Sequence, residues 1–588
     1  MDIREYLKSG SRLIFDGAMA TYFNSIPGRE QIRSDTANVA HPEEILGIHR
    51  GYLEAGAQAL KTNTYGASED FASGRMEEGE AFLRAGCRLA LEAAAPFDAL
   101  VFGDLGPAPQ GGFRTPAESY CHAIDIMLEE GIRCFLLETL GSDDGIPEAA
   151  RHLKEKCPEA FLITSFTVGY DGVSRDGILG KELYQRGCAV EEIDVVGFNC
   201  GSGPHHLLEF LRTLDLDGSR PMSVMPNAGN PTIIGHQAVY HGTPEYFAGK
   251  MQQIAALPGV QIVGGCCGTT PEHIEEMIAE LKRNPPVSVQ VTPRSEAEEQ
   301  RKAEPNPFWE KLERGEQVIA VELDPPVDDE IGFFLDGVRS LKNAGADIVT
   351  IADCPIGRPR ADSSILAAKV RRELDMEPLP HMTCRDRNLN ATKALLLGLT
   401  IEGVHNVLLV TGDPIPSENR DEVKSVFNFN SRKLARFVTG LNETTFRTPF
   451  RVFAALNVNA RNFDIQLRMA QEKEEAGVSG FLTQPVLSPE GLENLQRARE
   501  TLSGKLLGGI FPVVSHRNAL FLNNEIAGMR VSQQIIDRYA GKDRDEAEAL
   551  AVEISAEIAE KVRPYTDGLY LMTPFKRVSL IEKIMKAI

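Results

Sequence analysis

SLKNAGADIVTIADCP, residues 340–355, decides the fold. An amphipathic helical stretch closes on Gly345, the residue type that caps a helix in the left-handed conformation. A short apolar run follows, suited to a strand buried on both faces, and it ends in polar residues. The same unit recurs as YLEAGAQALKTNTYG (52–66), MLEEGIRCFLLETLG (127–141) and KEEAGVSGFLTQPV (473–486). Such alternation of helix and strand predicts a parallel sheet with right-handed crossovers. Counting these strands predicts eight before about residue 280 and eight more after it. The expected fold class is α/β: two (β/α)8 TIM barrels in tandem, over residues 1–283 and 308–588. A doubly wound open sheet is the alternative, but eight strands per half favour closure. Residues 284–307, rich in proline and charge, read as the linker.

The bulk composition narrows the function. The chain has 588 residues, 42% apolar and 25% charged, with a net charge of −22. That acidity argues against partners held through phosphates, and so against nucleic acid and an anionic membrane surface. No apolar run is long enough to predict a transmembrane helix. The start, MDIREYLKSGSRLIFDG, does not read as a secretory signal. Ten cysteines are too sparse for a disulfide scaffold. A cytoplasmic location is expected, where clustered cysteines read as metal-binding or catalytic.

Three cysteines stand out: Cys200 in GFNCGSG, and Cys266 and Cys267 in GGCCGTT. They end the sixth and eighth strands of the first half, on the rim where barrels place active sites. Thiolates select zinc, and three of them leave a fourth position for a substrate thiol. Cys87, Cys121, Cys134, Cys157 and Cys188 lack such glycine settings and read as packing residues. Asp16 and Glu138 end strands one and four, and their carboxylates suit an ammonium. A turn residue for Asp16 and a rim ion pair for Glu138 are the plainer readings. Asn63 and Asn227 are weaker rim candidates.

The first half resembles the homocysteine S-methyltransferase family. The motifs are DGAMAT (16–21), KTNTYGAS (61–68), GDLGP, LLETL, GFNCG, MPNAGNP and GGCCGTTPEHI. The resemblance implies zinc on Cys200, Cys266 and Cys267, with Asp16 and Glu138 beside homocysteine. No D-x-H-x-x-G segment of a corrinoid module is present. The methyl donor stays open; a sulfonium, S-methylmethionine or S-adenosylmethionine, is the first choice because it leaves as a neutral thioether.

The second half resembles methylenetetrahydrofolate reductase. It carries VELDPP (321–326), PHMTCRD (380–386), TGDP (411–414), EKEEAGVSGFLTQP and GGIFPV in order. The resemblance implies FAD, with NAD(P)H as reductant and Glu322 as the acid that protonates folate. It places Asp413 between flavin and folate and Gln484 on the pterin. His381, Thr411, Gly412, Asp413, Phe429 and Lys473 are its implied FAD contacts. The plainer readings are a cap or rim ion pair for Glu322, turn chemistry for Asp413, a strand-end amide for Gln484, a solvated Lys473 and a core Phe429. Leu456 stands where the well-known bacterial enzymes carry a tyrosine, and IADCP replaces a Thr-Tyr pair. The expectation is a bifunctional one-carbon enzyme acting on homocysteine, a methyl donor and folate. The alternative is a second barrel that only binds folate and donates methyl without flavin chemistry. Whether the chain forms a homo-oligomer is left open.

Overall fold

The computed structural model describes residues 2–234, 237–287, 303–413, 426–427, 429–526 and 528–588. Most of the expected linker, residues 288–302, lies outside the described residues. The chain divides into two compact units, Met1–Glu298 and Glu299–Ile588.

In the first unit β1 (Leu13–Ile14), β2 (Ala59–Lys61), β3 (Leu100–Leu105), β4 (Cys134–Leu140), β5 (Phe161–Phe166), β6 (Val195–Asn199) and β7 (Met222–Met225) alternate with helices. A hairpin, β8 (Pro231–Ile234) and β9 (Gln237–Tyr240), precedes β10 (Val260–Val263). The parallel order is β1-β10-β7-β6-β5-β4-β3-β2, and a bridge between Phe15 and Ala59 joins its two ends. The antiparallel hairpin was not anticipated, because nothing in its sequence separates it from a long loop after β7.

The second unit is a closed parallel barrel of eight strands. They are β11 (Val318–Glu322), β12 (Ile348–Ile351), β13 (Glu377–Thr383), β14 (Asn406–Val410), β15 (Arg451–Leu456), β16 (Gly480–Pro485), β17 (Lys505–Ile510) and β18 (Gly568–Met572). Gly345 ends the helix Gly332–Ala344 with φ 99°, as the opening stretch requires.

Each barrel is stoppered from below by the short helix that precedes its first strand. Ile3 and Leu7 of the helix Ile3–Lys8 join the interior cluster of Phe15, Phe102, Leu136 and Ile163. Phe308, Trp309 and Leu312 of the helix Pro307–Glu313 do the same against Ala320, Leu379, Phe453 and Leu507. Apolar side chains thus close the lower ends of both interiors, and the polar residues described below stand at the upper, C-terminal strand ends. Among the described residues no helix is long and apolar enough to cross a membrane.

Candidate active sites

The GFNCG stretch sets the first site. β6 ends at Asn199, and Cys200 follows with φ 56°, a left-handed conformation that a non-glycine residue keeps only when its surroundings hold it. Thr139 in β4 is a second such residue, with φ 58°. Asn199 braces it: Oδ1 accepts from the Thr139 N–H at 2.9 Å, and Nδ2 donates to Thr139 Oγ1 at 2.8 Å. The same Nδ2 donates to Glu138 Oε2 at 2.8 Å and lies 3.8 Å from Cys266 Sγ. One side-chain amide thus ties the carboxyl on β4 to the thiols beyond β6 and β10.

The other two cysteines leave β10 through Gly264 and Gly265. A Cβ at 264 would lie 2.7 Å from the Phe15 Cβ, and one at 265 would strike the Thr269 side chain. The end of β7 and the residues after it then bind both loops. Cys200 N–H donates to Met225 O at 3.1 Å, Cys266 N–H to Pro226 O at 2.8 Å, and Ala228 N–H to Cys267 O at 2.9 Å. The three sulfurs end within 4.8 Å of one another, with those of Cys200 and Cys267 3.8 Å apart. Thiols so placed could share a soft metal ion.

They form one wall of a cleft of about 470 Å³ that Lys61, Asn63, Asp104 and Glu138 also line. Asp16 sits beneath it. Its Oδ2 accepts from the Lys61 N–H at 2.9 Å, and its Oδ1 lies 3.8 Å from Lys61 Nζ. Lys61 Nζ donates to Gly265 O at 3.2 Å. Asp16 Oδ1, Asp104 Oδ1 and Asn227 Oδ1 are buried without a hydrogen-bond partner. Burial pushes Asp16 and Glu138 up to about 7, and Asp104 well above its ordinary value. Burial works against charge on Lys61, but Glu138 and Asp16 more than offset it and raise its pKa. Asp16, Asp104 and Glu138 thus surround one ammonium, Lys61, while Arg33 on the same cleft is paired with Asp35 and Asp70, so this end of the cleft suits a ligand that brings positive charge.

In the second unit Glu322 closes β11. Tyr570, on β18, donates its hydroxyl to Glu322 Oε2, and His381 Nε2, on β13, stands 3.8 Å from the same oxygen. His381 Nε2 is buried with no hydrogen-bond partner, and burial lowers the imidazole to about 4, so it is neutral. Burial pushes Glu322 up to about 7, against the hydrogen bond from Tyr570. A carboxyl that holds its proton near neutral pH can serve as a general acid.

The remaining predicted positions spread over neighbouring strand ends, one loop and one helix. Thr411, Gly412 and Asp413 follow β14; Gly412 has φ 96°, and Arg385 Nη1 donates to Asp413 O at 2.9 Å. Thr411 Oγ1 donates to Ser431 Oγ at 3.3 Å. Pro414 of the same motif lies outside the described residues. Gln484 is half-buried near the end of β16. Lys473, on the helix Phe463–Glu475, donates to Ala455 O at 3.3 Å, and burial lowers its pKa. Phe429 is buried with its ring 5.5 Å from that of Phe437. The structure therefore brings His381 to Glu322. In the IADCP segment Asp353 Oδ2 accepts from Thr383 N–H and Oγ1–H, both at 3.0 Å, and from Arg387 Nη1 at 2.9 Å.

Residues 13–281 match the family described as homocysteine S-methyltransferase, and residues 308–588 match the family described as methylenetetrahydrofolate reductase. The chain joins one domain of each family. Methionine synthase of Mycobacterium leprae (strain TN) is 32% identical over 310 residues, which are 46% of this chain and 24% of that protein. Methionine synthase of Mycobacterium tuberculosis (strain ATCC 25618 / H37Rv) is 33% identical over 313 residues, 46% of this chain and 25% of that protein. The chain thus spans about a quarter of the length of these relatives. Among solved structures, the metallated form of the homocysteine methyltransferase MmuM from Escherichia coli is 24% identical, with a TM-score of 0.38. It covers 47% of this chain and 99% of that one. The oxidized form gives 25% identity and a TM-score of 0.39 over the same shares.

Sequence reasoning missed four polar residues of these sites. In the homocysteine S-methyltransferase domain they are Lys61, Asp104 and Asn199, each at the end of an apolar strand and inside a motif already singled out. Their signal was present, since a polar side chain in a strand buried on both faces needs a reason. In the methylenetetrahydrofolate reductase domain the missed residue is Tyr570. An aromatic in GLYLM reads as core, and only the strand register places it opposite Ala320, two residues below Glu322.

Proposed function

We propose that the chain is a two-site enzyme of one-carbon metabolism. The first domain transfers a methyl group to homocysteine and makes methionine. The second reduces 5,10-methylenetetrahydrofolate to 5-methyltetrahydrofolate. The observation that carries this reading is the meeting of Cys200, Cys266 and Cys267 within 4.8 Å, before a cleft rich in carboxyls.

Three thiols are a donor set that fits zinc, with a fourth position left for a substrate thiol. Cys200, Cys266 and Cys267 would hold the zinc, which would lower the pKa of a substrate thiol so that thiolate is present at neutral pH. Asp16 and Glu138 hold the ammonium of homocysteine. Asn199 keeps Glu138 aimed by its 2.8 Å hydrogen bond. Lys61 offsets part of the buried negative charge. The surplus of carboxyls supports a cationic donor, a sulfonium such as S-methylmethionine or S-adenosylmethionine.

In the second domain His381, Thr411, Gly412, Asp413, Phe429 and Lys473 would hold FAD. The unpartnered Nε2 of His381 and the half-buried ammonium of Lys473 are groups that ring and phosphate oxygens could satisfy. FAD, reduced by NAD(P)H, supplies the hydride. Glu322 would supply the proton to folate N10, Gln484 would anchor the pterin, and Asp413 would contact both ligands.

The test uses purified full-length chain with its zinc content measured. Homocysteine is offered with each donor class and methionine is followed; methionine from none of them overturns the first half. The yellow absorbance of oxidised flavin, and its return when methylenetetrahydrofolate is added to reduced protein, tests the second. Colourless protein that binds folate and methylates homocysteine from methyltetrahydrofolate would replace that half with a methyl-donating folate site.

A further inference from the structure

Glu322 is met from three other strands. Tyr570 reaches it from β18, His381 from β13, and Thr350 is its register partner on β12. Tyr570 stands opposite Ala320, so its ring lies one layer down in the barrel, within the apolar cluster of Val318, Leu379 and Leu507. Its side chain is held in place by that packing, and its hydroxyl rises into the rim layer.

We infer that Tyr570 is a positioning residue for Glu322, and that its hydrogen bond keeps the transferable proton on the other oxygen, Oε1. The inference rests on reading this domain as a folate reductase. The geometry carries it. A phenol has one proton, and Tyr570 gives it to Oε2. An oxygen that already accepts there from Tyr570 is the poorer place for the acid proton, which goes to Oε1. The Glu322 side chain keeps 23% exposure, so the carboxyl remains open to a ligand at the rim. In the transfer the Oε1–H bond breaks, an N–H bond forms at folate N10, and the electron pair stays on the carboxylate. Tyr570 still donates to that anion, so the charge is stabilised where it appears.

The other groups around Glu322 do not take over this task. His381 is 3.8 Å away and neutral. Asp324, beyond β11, adds repulsion that favours the protonated acid. Asp353 bears on His381 and is paired with Arg387. Thr350 carries no charge. The phenol alone favours the anion by a direct hydrogen bond.

The substitution Tyr570→Phe keeps the ring and removes the donor. Reduced flavoprotein is reoxidised by methylenetetrahydrofolate over a range of pH. Removing a hydrogen bond to the anion raises the carboxyl pKa, so the alkaline loss of rate moves up by roughly one pH unit. The plateau falls roughly two- to tenfold, about twofold because the proton is then shared between both oxygens and the rest because the carboxylate loses its donor as it forms. In a Glu322→Gln background the same change costs less than about twofold, since the two residues act as one unit. Infrared difference spectra give a readout outside turnover. The Glu322 carboxyl band, assigned by its loss in Glu322→Gln, titrates in the wild type, and Tyr570→Phe raises its midpoint by the same amount. A midpoint and a rate limb that both stay put in folded Tyr570→Phe overturn the inference. Should that variant not fold, ring-labelled tyrosine in the wild type decides: its band must shift at the Glu322 midpoint and lose that shift in Glu322→Gln. No coupled shift overturns the inference. Wild-type protein that is never reoxidised by folate overturns the parent reading, and the infrared coupling is still measurable in it.

Discussion

In the first barrel Asp16, Asp104 and Glu138 surround the one ammonium of Lys61 beside three thiols, and two of their carboxyl oxygens have no hydrogen-bond partner. In the second, one carboxyl meets a neutral imidazole and a phenol. Both sit at the same end of the same fold, above an apolar interior stoppered by a short helix. The difference lies in charge. The first site buries more carboxyl than positive charge, a balance that positive groups from outside would restore. The second is assembled to keep a proton, and it needs little charge balance. Removing a side chain should therefore disrupt the first site broadly and the second only locally.

The largest effect is expected at the thiols. Cys266→Ser should lower bound zinc and abolish methionine formation, while flavin content and folate reduction stay at wild-type levels. Metal analysis and the two assays on one preparation check this. Loss of both activities would mean that the barrels fail together, and the comparison between them would collapse. Next comes Glu322→Gln. Folate reduction should fall by about 100- to 10,000-fold, the share general acids commonly contribute, with methionine formation untouched. Unchanged folate reduction would remove Glu322 from the chemistry.

Asn199→Ala sharpens the comparison at one residue. It frees Thr139 from its conformation at φ 58°, and it leaves Glu138 Oε2 without its donor. The loss of buried hydrogen bonds should cost about 2–4 kcal/mol in unfolding free energy. Metal affinity should fall roughly 10- to 100-fold, as when a residue that orients metal ligands is removed. Denaturant titration and metal competition measure the two. Wild-type metal affinity would mean that the cysteine loops hold themselves, through their backbone bonds to residues 225–228.

How far each site was legible in the chain follows the same contrast. Cys200, Cys266 and Cys267 could be read at once, because adjacent cysteines among glycines have little packing use. Their convergence was not readable from period alone. On a regular strand 266 and 267 point apart, and it is the close contacts at Gly264 and Gly265 that bend the chain. Glu322 was legible as a strand-end carboxyl, but Tyr570 looked like core, and it is core for all but its hydroxyl. The barrels themselves were clear from helix, glycine and strand in repetition. The β8–β9 hairpin was not, because it packs outside that repeat. Sequence pattern reports which faces are buried; it does not report which polar atom finds which partner across strands far apart in the chain.

The smallest effect separates two charges within the second site. Glu322 is raised from 4.5 to about 7 in the fold, so the folded state holds a proton there that the unfolded chain releases. Its contribution to stability falls as pH rises from about 4.5 to 7, and at pH 8 the buried anion costs about 3 kcal/mol. His381 is lowered from 6.5 to about 4, so there the unfolded chain binds the extra proton. Its contribution rises with pH over about 4 to 6.5. The two slopes oppose each other across nearly the same window, and the wild-type domain should show little net dependence from this pair. Glu322→Gln removes one slope and keeps the shape, with an amide oxygen still able to accept from Tyr570. Its melting temperature should match the wild type near pH 4.5 and exceed it by roughly 4–8 °C at pH 8. His381→Asn should remove the other slope and leave stability that declines from pH 4.5 to 7. Calorimetry of the three proteins across that range checks both. Parallel profiles would mean that these groups titrate in the fold as they do in water, and Glu322 would then hold no proton at neutral pH to give.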